Sequence, residues 1–416
     1  MLNNITNAII QLSKDTNNPQ LNFNAAIEYD KINQTASAVS FYLKTAEYSD
    51  NKDLVYSSLI KLGGCFEKQG QRDASVLNSY FQAIELLPSR PEAYYMLSRF
   101  YELKSNWQES YTFAKLGLFF QDNILGELPC DLGYIEKPSF ILQRAVSAWA
   151  IGRSDESKKL FFQLASIKGL PDYYRTCIIN NFKNFEWIQD KIAIIVPVRD
   201  GGTGRSRRLL RLLQSWSETT EGLSDIHIII DEDDVHNFEY IDKYKDRFFF
   251  YIKPTGLTLM EKINTIALDV AHMYKYVQFV GDDVQFKTKW ERTFINHLSK
   301  IPAGLVYGDT LENNGIDWAN HPCITSNLIK AVGFYGCPAV AHNYFDNYWT
   351  DICKELNSFY YIPEVIMDHR REDSEKDYLF WNIVDLQDKD KTKYEEYKQK
   401  FFQEDLVKIR QAISGI

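Results

Sequence analysis

The sequence predicts an α-helical half of stacked hairpins followed by an α/β half built on a doubly wound sheet. Three observations predict it. With 416 residues the chain exceeds the ~250–300 at which a single core stops growing, so two domains are expected. The first half repeats itself: Leu62, Gly63 and Phe66 return as Leu97, Ser98 and Tyr101, 35 residues later. The second half alternates short, continuous apolar runs with helical stretches, the pattern of strands buried on both faces.

In the first half, Glu28-Tyr29-Asp30-Lys31 stands against Cys65-Phe66-Glu67-Lys68, a step of 37. Each unit passes through a polar turn (Gln34-Thr35, Gly70-Gln71-Arg72, Ser105-Asn106) into a second apolar helix, over 38–46, 76–87 and 108–119. Pro88 follows the middle one, where a helix stops. A further pair, around 145–151 and 157–165, is split by Gly152-Arg153-Ser154. A lone hairpin cannot bury its apolar stripe, so neighbours must stack.

The texture changes after Trp187. Strands are expected over 192–198, 226–230, 248–252 and 276–280, with helices over 206–217 and 259–274 between them. Another strand-like run, 304–307, precedes Asp309, a residue expected to serve ligand binding or structure. The end of the chain reads as a charged amphipathic helix with Tyr394, Tyr397, Phe401, Leu406 and Ile409 on its apolar side. The expected divisions are 1–188, 189–388 and a helical tail, 389–416.

Composition narrows the function. Lys+Arg number 47 against Asp+Glu 56, a formal charge of −9, so phosphate-backbone binding would have to rest on a local patch. Six scattered cysteines form no C-x-x-C pair, which argues against a disulfide framework or structural zinc and fits a reducing, cytoplasmic compartment. No apolar run approaches the ~18 residues of a spanning helix, and Met1–Asp15 lacks the basic n-region of a signal peptide.

Ligands of doubly wound sheets bind at the carboxyl ends of the strands. The first strand runs into Pro197-Val198-Arg199-Asp200-Gly201-Gly202-Thr203-Gly204-Arg205. Residues 199–211 carry five arginines against one acid; Arg199 and Arg205 are the phosphate-binding candidates, while Arg207, Arg208 and Arg211 read as a solvated helix face. The second strand ends in Asp231-Glu232-Asp233-Asp234, four carboxylates that repel one another unless solvated, hydrogen-bonded or near a cation, with Asp231 the ligand candidate. The strand at 276–280 delivers Gly281-Asp282-Asp283, two adjacent carboxylates of the kind a hard divalent cation takes.

Two resemblances follow. The spacing of residues 22–180 resembles tetratricopeptide repeats, without their early tryptophan. The half from about Asp190 to Asp373 resembles a GT-A glycosyltransferase of the family-2-like kind, including phage and bacterial forms behind helical repeats, with a Rossmann-like mixed sheet. The matching segments are Ile-Val-Pro-Val-Arg-Asp at 195–200, Ile-Ile-Asp-Glu-Asp-Asp at 229–234, Phe-Val-Gly-Asp-Asp at 279–283, Val-Tyr-Gly-Asp at 306–309 and Phe-Asp-Asn-Tyr-Trp at 345–349. The resemblance implies transfer of a sugar from a nucleoside diphosphate, UDP first, to an acceptor hydroxyl with inversion. Pro197, Val198, Arg199 and Asp200 would then lie against the nucleotide, Asp231 against its base or ribose, and Asn264 near the diphosphate. Asp282 and Asp283 would replace the family's D-x-D and hold Mn²⁺ or Mg²⁺, with Asp283 the direct ligand and His369 a late one. The first aspartate of that motif falls on Gly281. Asp346 would be the general base; its residue-level alternative is a cap for a helix beginning at Asn347. The acceptor stays open among hydroxymethylated DNA, a protein or peptide, and a glycan, and the repeats would bind it or a protein partner. The rival expectation is a non-enzymatic repeat scaffold with a decayed transferase half.

Overall fold

The computed structural model describes residues 2–123, 126–134, 136–202, 204, 206–238, 241–244, 247–311, 318–369 and 378–414. The chain divides into two compact units, Met1–Ser166 and Ile167–Ile416.

The first unit is helical: α1 (Leu2–Leu12), α2 (Pro19–Lys31), α3 (Thr35–Tyr48), α4 (Lys52–Gln69), α5 (Asp73–Leu86), α6 (Glu92–Leu103), α7 (Trp107–Phe120), α8 (Glu136–Ala150) and α9 (Ser154–Ala165). From α2 onward, consecutive helices pack as hairpins that stack on their neighbours, a tetratricopeptide-like arrangement. The repetition extends to the turns. The first, third and fourth hairpins each close with an amide reaching back five residues: Gln34 to the Tyr29 carbonyl (2.9 Å), Asn106 to Tyr101 (2.9 Å) and Arg153 to Ala148 (2.8 Å). A left-handed residue precedes each closure: Asn33 (φ 62°), Ser105 (φ 59°) and Gly152 (φ 80°). Aromatic rings fill the spaces between helices where a neighbour offers a glycine. A Cβ on Gly63 of α4 would sit 2.3 Å from the Tyr80 ring of α5; one on Gly117 of α7 would sit 2.0 Å from the Phe140 ring of α8.

The second unit opens with α10 (Asp172–Asn184), then β1 (Gln189–Val198), α11 (Ser206–Thr219), β2 (Ser224–Asp231), a 3₁₀ turn at Val235–Phe238, α12 (Ile241–Tyr244), β3 (Phe249–Lys253) and α13 (Leu259–Met273). It continues with β4 (Tyr274–Phe279), β5 (Val284–Phe286), α14 (Glu291–Leu298), β6 (Leu305–Asp309), β7 (Cys323–Thr325), α15 (Ser326–Val332), α16 (Phe345–Glu355), β8 (Phe359–His369) and α17 (Tyr378–Ser414). The sheet is mixed, in the order β3-β2-β1-β4-β7-β6-β8-β5. β3, β2, β1 and β4 run parallel, whereas β7 pairs antiparallel with β4 and β6. β1 shows why its apolar run is continuous: Ile192, Ile194, Val196 and Val198 bury on one face, Ala193 and Ile195 on the other.

Two divisions differ from expectation. The unit boundary falls at Ser166/Ile167, ahead of the expected 188/189, because α10 is fastened to the sheet domain. Arg175 donates to the Phe250 carbonyl at 3.0 Å and lies over the Tyr251 ring, while Lys183 pairs with Asp269 at 2.9 Å. Nor does a tail begin at 389, since α17 starts at Tyr378 and puts Tyr394, Phe402, Leu406 and Ile409 into the sheet's core. Phe401, expected on that apolar side, is exposed. All six cysteines are free thiols. Among the described residues no helix is long and apolar enough to cross a membrane.

Candidate functional site

The carboxylates at the ends of β1 and β2 sort by their partners. Asp200 is buried, and its carboxylate accepts the amides of Gly204 (3.0 Å) and Ser206 (2.5 Å). Burial alone would raise its pKa, but these amide bonds hold it below the usual carboxylate range. Asp200 thereby folds the loop onto the start of α11, with Gly201 and Gly202 at φ 59° and 79°. Asp234 does the same from the other side, accepting the amides of Asp200 (2.5 Å) and Gly201 (2.9 Å) and the Asn237 side chain (2.6 Å). The structure thus gives Asp200, expected against the nucleotide, a part in loop closure, the loop's own amides binding its carboxylate oxygens.

Asp231 differs, being buried with cations for partners. Arg199 reaches it at 2.6 Å and forks onto both oxygens of Asp233 at 3.0 Å. Lys262, on α13, meets it at 2.7 Å, both side chains almost fully buried. The Asp233 and Asp231 bonds raise the Arg199 pKa, and Arg199 in turn lowers that of Asp233. Lys262 was missed in the sequence, although a lysine among Met260, Ile263, Ile266 and Ala267 is a charge in an apolar stripe. A Thr258–Glu261 capping box starts that helix just before it.

Pro197 and Val198 are buried within β1, in register with Ile229 and Ile230. Arg205 lies outside the described residues. Of the three arginines expected to be solvated, Arg207 and Arg211 are exposed, whereas Arg208 is buried. Asn264, expected near the diphosphate, accepts the amides of Tyr335 (3.0 Å) and Gly336 (2.9 Å) on its carbonyl oxygen, and its NH₂ donates to the Gly336 carbonyl (2.7 Å). It clamps that loop.

At the end of β4, Asp282 is buried and Asp283 faces His369, with carboxylate oxygen and Nε2 3.4 Å apart. Antiparallel pairing of β5 with β8 brings them together, setting Val284 opposite His369. Gly281 makes this geometry possible. A Cβ there would lie 2.6 Å from the Asp283 carboxylate and 3.5 Å from the ring of His321. The carboxylate thus leans into space a side chain at 281 would take. His321, buried and absent from the sequence reading, stands 4.8 Å edge-on from the His369 ring. Its carbonyl accepts the Gln278 side chain at 3.0 Å. Among the described residues no three His, Cys, Asp or Glu side chains converge as metal ligands. Of the expected trio, Asp283 and His369 stand 3.4 Å apart.

Asp346 lies in the first turn of α16, which begins at Phe345, two residues before the expected Asn347, and its carboxylate accepts the Asn347 amide (3.0 Å). The helix is tied to β4 by Phe345, packed edge-on against Phe279 at 4.9 Å. Asp309, at the end of β6, is bonded by the Tyr361 hydroxyl and accepts the Leu311 amide at 2.8 Å.

The sequence matches no family model and no curated protein. Among solved structures the chain is similar to S. aureus TarS 1-349 in complex with UDP-GlcNAc, at 12% identity and TM-score 0.34, over 42% of this chain and 57% of that one. It is similar to yeast Tom70 at 12% identity and TM-score 0.35, over 44% and 36%. It is similar to TTC0263, a thermophilic TPR protein of Thermus thermophilus, at 12% identity and TM-score 0.32, over 42% and 87%. The chain thus spans little more than half of the TarS fragment and about a third of Tom70. At TM-scores this low, none of these likenesses bears on activity.

Proposed function

We propose that the second unit is a GT-A-type glycosyltransferase that moves a sugar from a nucleoside diphosphate, UDP first, to an acceptor hydroxyl. The observation that carries this reading is the juxtaposition at the carboxyl edge of the sheet. A cation-neutralised carboxylate, Asp231, ends β2, and the Asp283–His369 pair follows β4, with β1 between these strands. That edge is where open α/β sheets bind ligands, and the strand order turns there.

In this reading Asp231 accepts hydrogen bonds from the nucleoside while Arg199 and Lys262 offset its charge. Asp283 and His369 would offer an oxygen and an imidazole nitrogen to Mn²⁺ or Mg²⁺. When bound, such an ion would supply positive charge for the diphosphate leaving group. Asp346 takes the acceptor's proton as its oxygen bonds the anomeric carbon and the bond from that carbon to the phosphate oxygen breaks. The acceptor is assigned to a hydroxyl of a protein, a glycan or a hydroxymethylated base, and a panel of the three decides among them.

The test is a screen of nucleotide sugars with Mn²⁺ or Mg²⁺, reading nucleoside diphosphate release. One donor is expected to turn over, and release from none of a broad panel refutes the reading. Gly281, in place of the motif's first acid, favours a second reading, a repeat scaffold with a decayed site. It predicts no metal-dependent thermal stabilisation by UDP, whereas the transferase gains about 2.7 kcal/mol at a hundredfold excess over Kd.

A further inference from the structure

We propose that Asp390, on α17, is a positioning residue for Asp346, making the C-terminal helix part of the acceptor side of the site; this rests on the transferase reading above. Asp390 is fully buried, and its carboxylate accepts three consecutive amides: Ala341 (3.0 Å), His342 (2.8 Å) and Asn343 (2.8 Å). Three amides aimed at one point form a nest for an anion, and here a side chain 47 residues downstream of Asn343 supplies it. The same loop is held from the opposite direction, where the Met260 amide at the start of α13 donates to the Ala341 carbonyl at 3.2 Å.

What this loop fixes is the entry to α16. The next residue, Tyr344, is left-handed at φ 68° and has no side-chain cap to set the helix start; Asp346 follows two positions on. The orientation of that first turn therefore comes from outside the helix. α17 supplies it along one face. Asp390 holds the loop and Tyr394 stacks on Tyr344 at 5.8 Å. Lys398 reaches Asp351 at 2.6 Å, and Asp405 accepts the Tyr348 hydroxyl at 3.0 Å. Of these, Asp390 is the one that holds backbone, the three residues 341–343 that lead into α16, so it fixes the path by which the chain reaches the candidate base.

The experiment compares Asp390→Asn with Glu291→Gln in the full chain. Glu291 is an equally buried carboxylate whose oxygens accept the amides of Glu221 (2.7 Å) and Leu223 (2.9 Å), at the start of β2. Both variants are expected to lower the thermal midpoint. Asp390→Asn alone is expected to lower kcat about 100-fold with donor KM held within about twofold, since a base misplaced by ~1 Å loses that much. Hydrogen exchange at the 341–343 amides is expected to accelerate in the same variant. Asp390→Glu, which keeps the charge but shifts it by one methylene, is expected to lose about tenfold and serves if the asparagine variant does not fold. Equal kcat in Asp390→Asn and wild type, or an equal loss in Glu291→Gln, overturns the proposal while the transferase reading stands. A wild-type chain that turns over no nucleotide sugar overturns both.

Discussion

The ends of β2 and β4 are both crowded with acids, and the chain uses them differently. After β2, Asp234 binds loop amides, and Asp231 is bracketed by Arg199 and Lys262. After β4, Asp283 has an imidazole for a neighbour and leans into the space left by Gly281. In the first region each of these carboxylates is met by a cation or by loop amides of the chain itself. The second presents groups able to share a cation with a ligand. A row of aspartates in a sequence thus does not identify a metal site; what the other side of each carboxylate meets does.

Substitutions can break this contrast. The largest expected effect is at β4: Asp283→Asn lowers turnover by about 10³-fold, measured as diphosphate release, and leaves the thermal midpoint nearly in place. A large midpoint drop instead would make Asp283 structural, like Asp234. Next comes Lys262→Met, which leaves Asp231 buried with a partner missing and costs roughly 3 kcal/mol in chemical denaturation, with weakened UDP binding. Asp234→Asn is expected to cost about 2 kcal/mol, since an amide cannot accept all three donors, while kcat for a bound donor changes little. The smallest effect is in the middle of β2. His227 is buried, bonded to the Tyr251 hydroxyl at 3.0 Å, and its pKa is pushed down from 6.5 to about 3 by burial and then by Lys168. The folded state therefore stays neutral while the unfolded chain takes up a proton as pH falls through 6.5. Stability is full above that value and declines by about 1.4 kcal/mol per unit below it, toward about 3. His227→Gln removes this slope, read from denaturation midpoints at pH 7.5 and 5.5; an unchanged slope assigns the pH response to other groups.

The sequence carried the parallel half of the sheet well. Runs such as Ile192–Val198 are apolar on both faces and bounded by turns, so the strand and its carboxyl end are visible together. The hairpin helices were equally legible, because their period is local. The antiparallel half was not: β7 is three residues long, and β5 finds His369 only through pairing across 85 positions. The site follows the same division. Arg199, Asp231 and Asp283 announce themselves as charges at strand ends. His321 and Asp390 owe their parts to chain brought from far away, and Asp200 and Asn264 look like ligand contacts until their backbone partners are seen.

The glycine–ring contacts in the helical unit also constrain how this chain can change over time. With Tyr80 seated where a Cβ on Gly63 would go, and Phe140 likewise at Gly117, the effect of a mutation at one position depends on the other. Gly63→Ala alone is destabilising, yet beside Leu in place of Tyr80 it loses much of its cost, so each pair forms an epistatic unit. Lineages that enlarge residue 63 or 117 are expected to have first reduced the ring across from it.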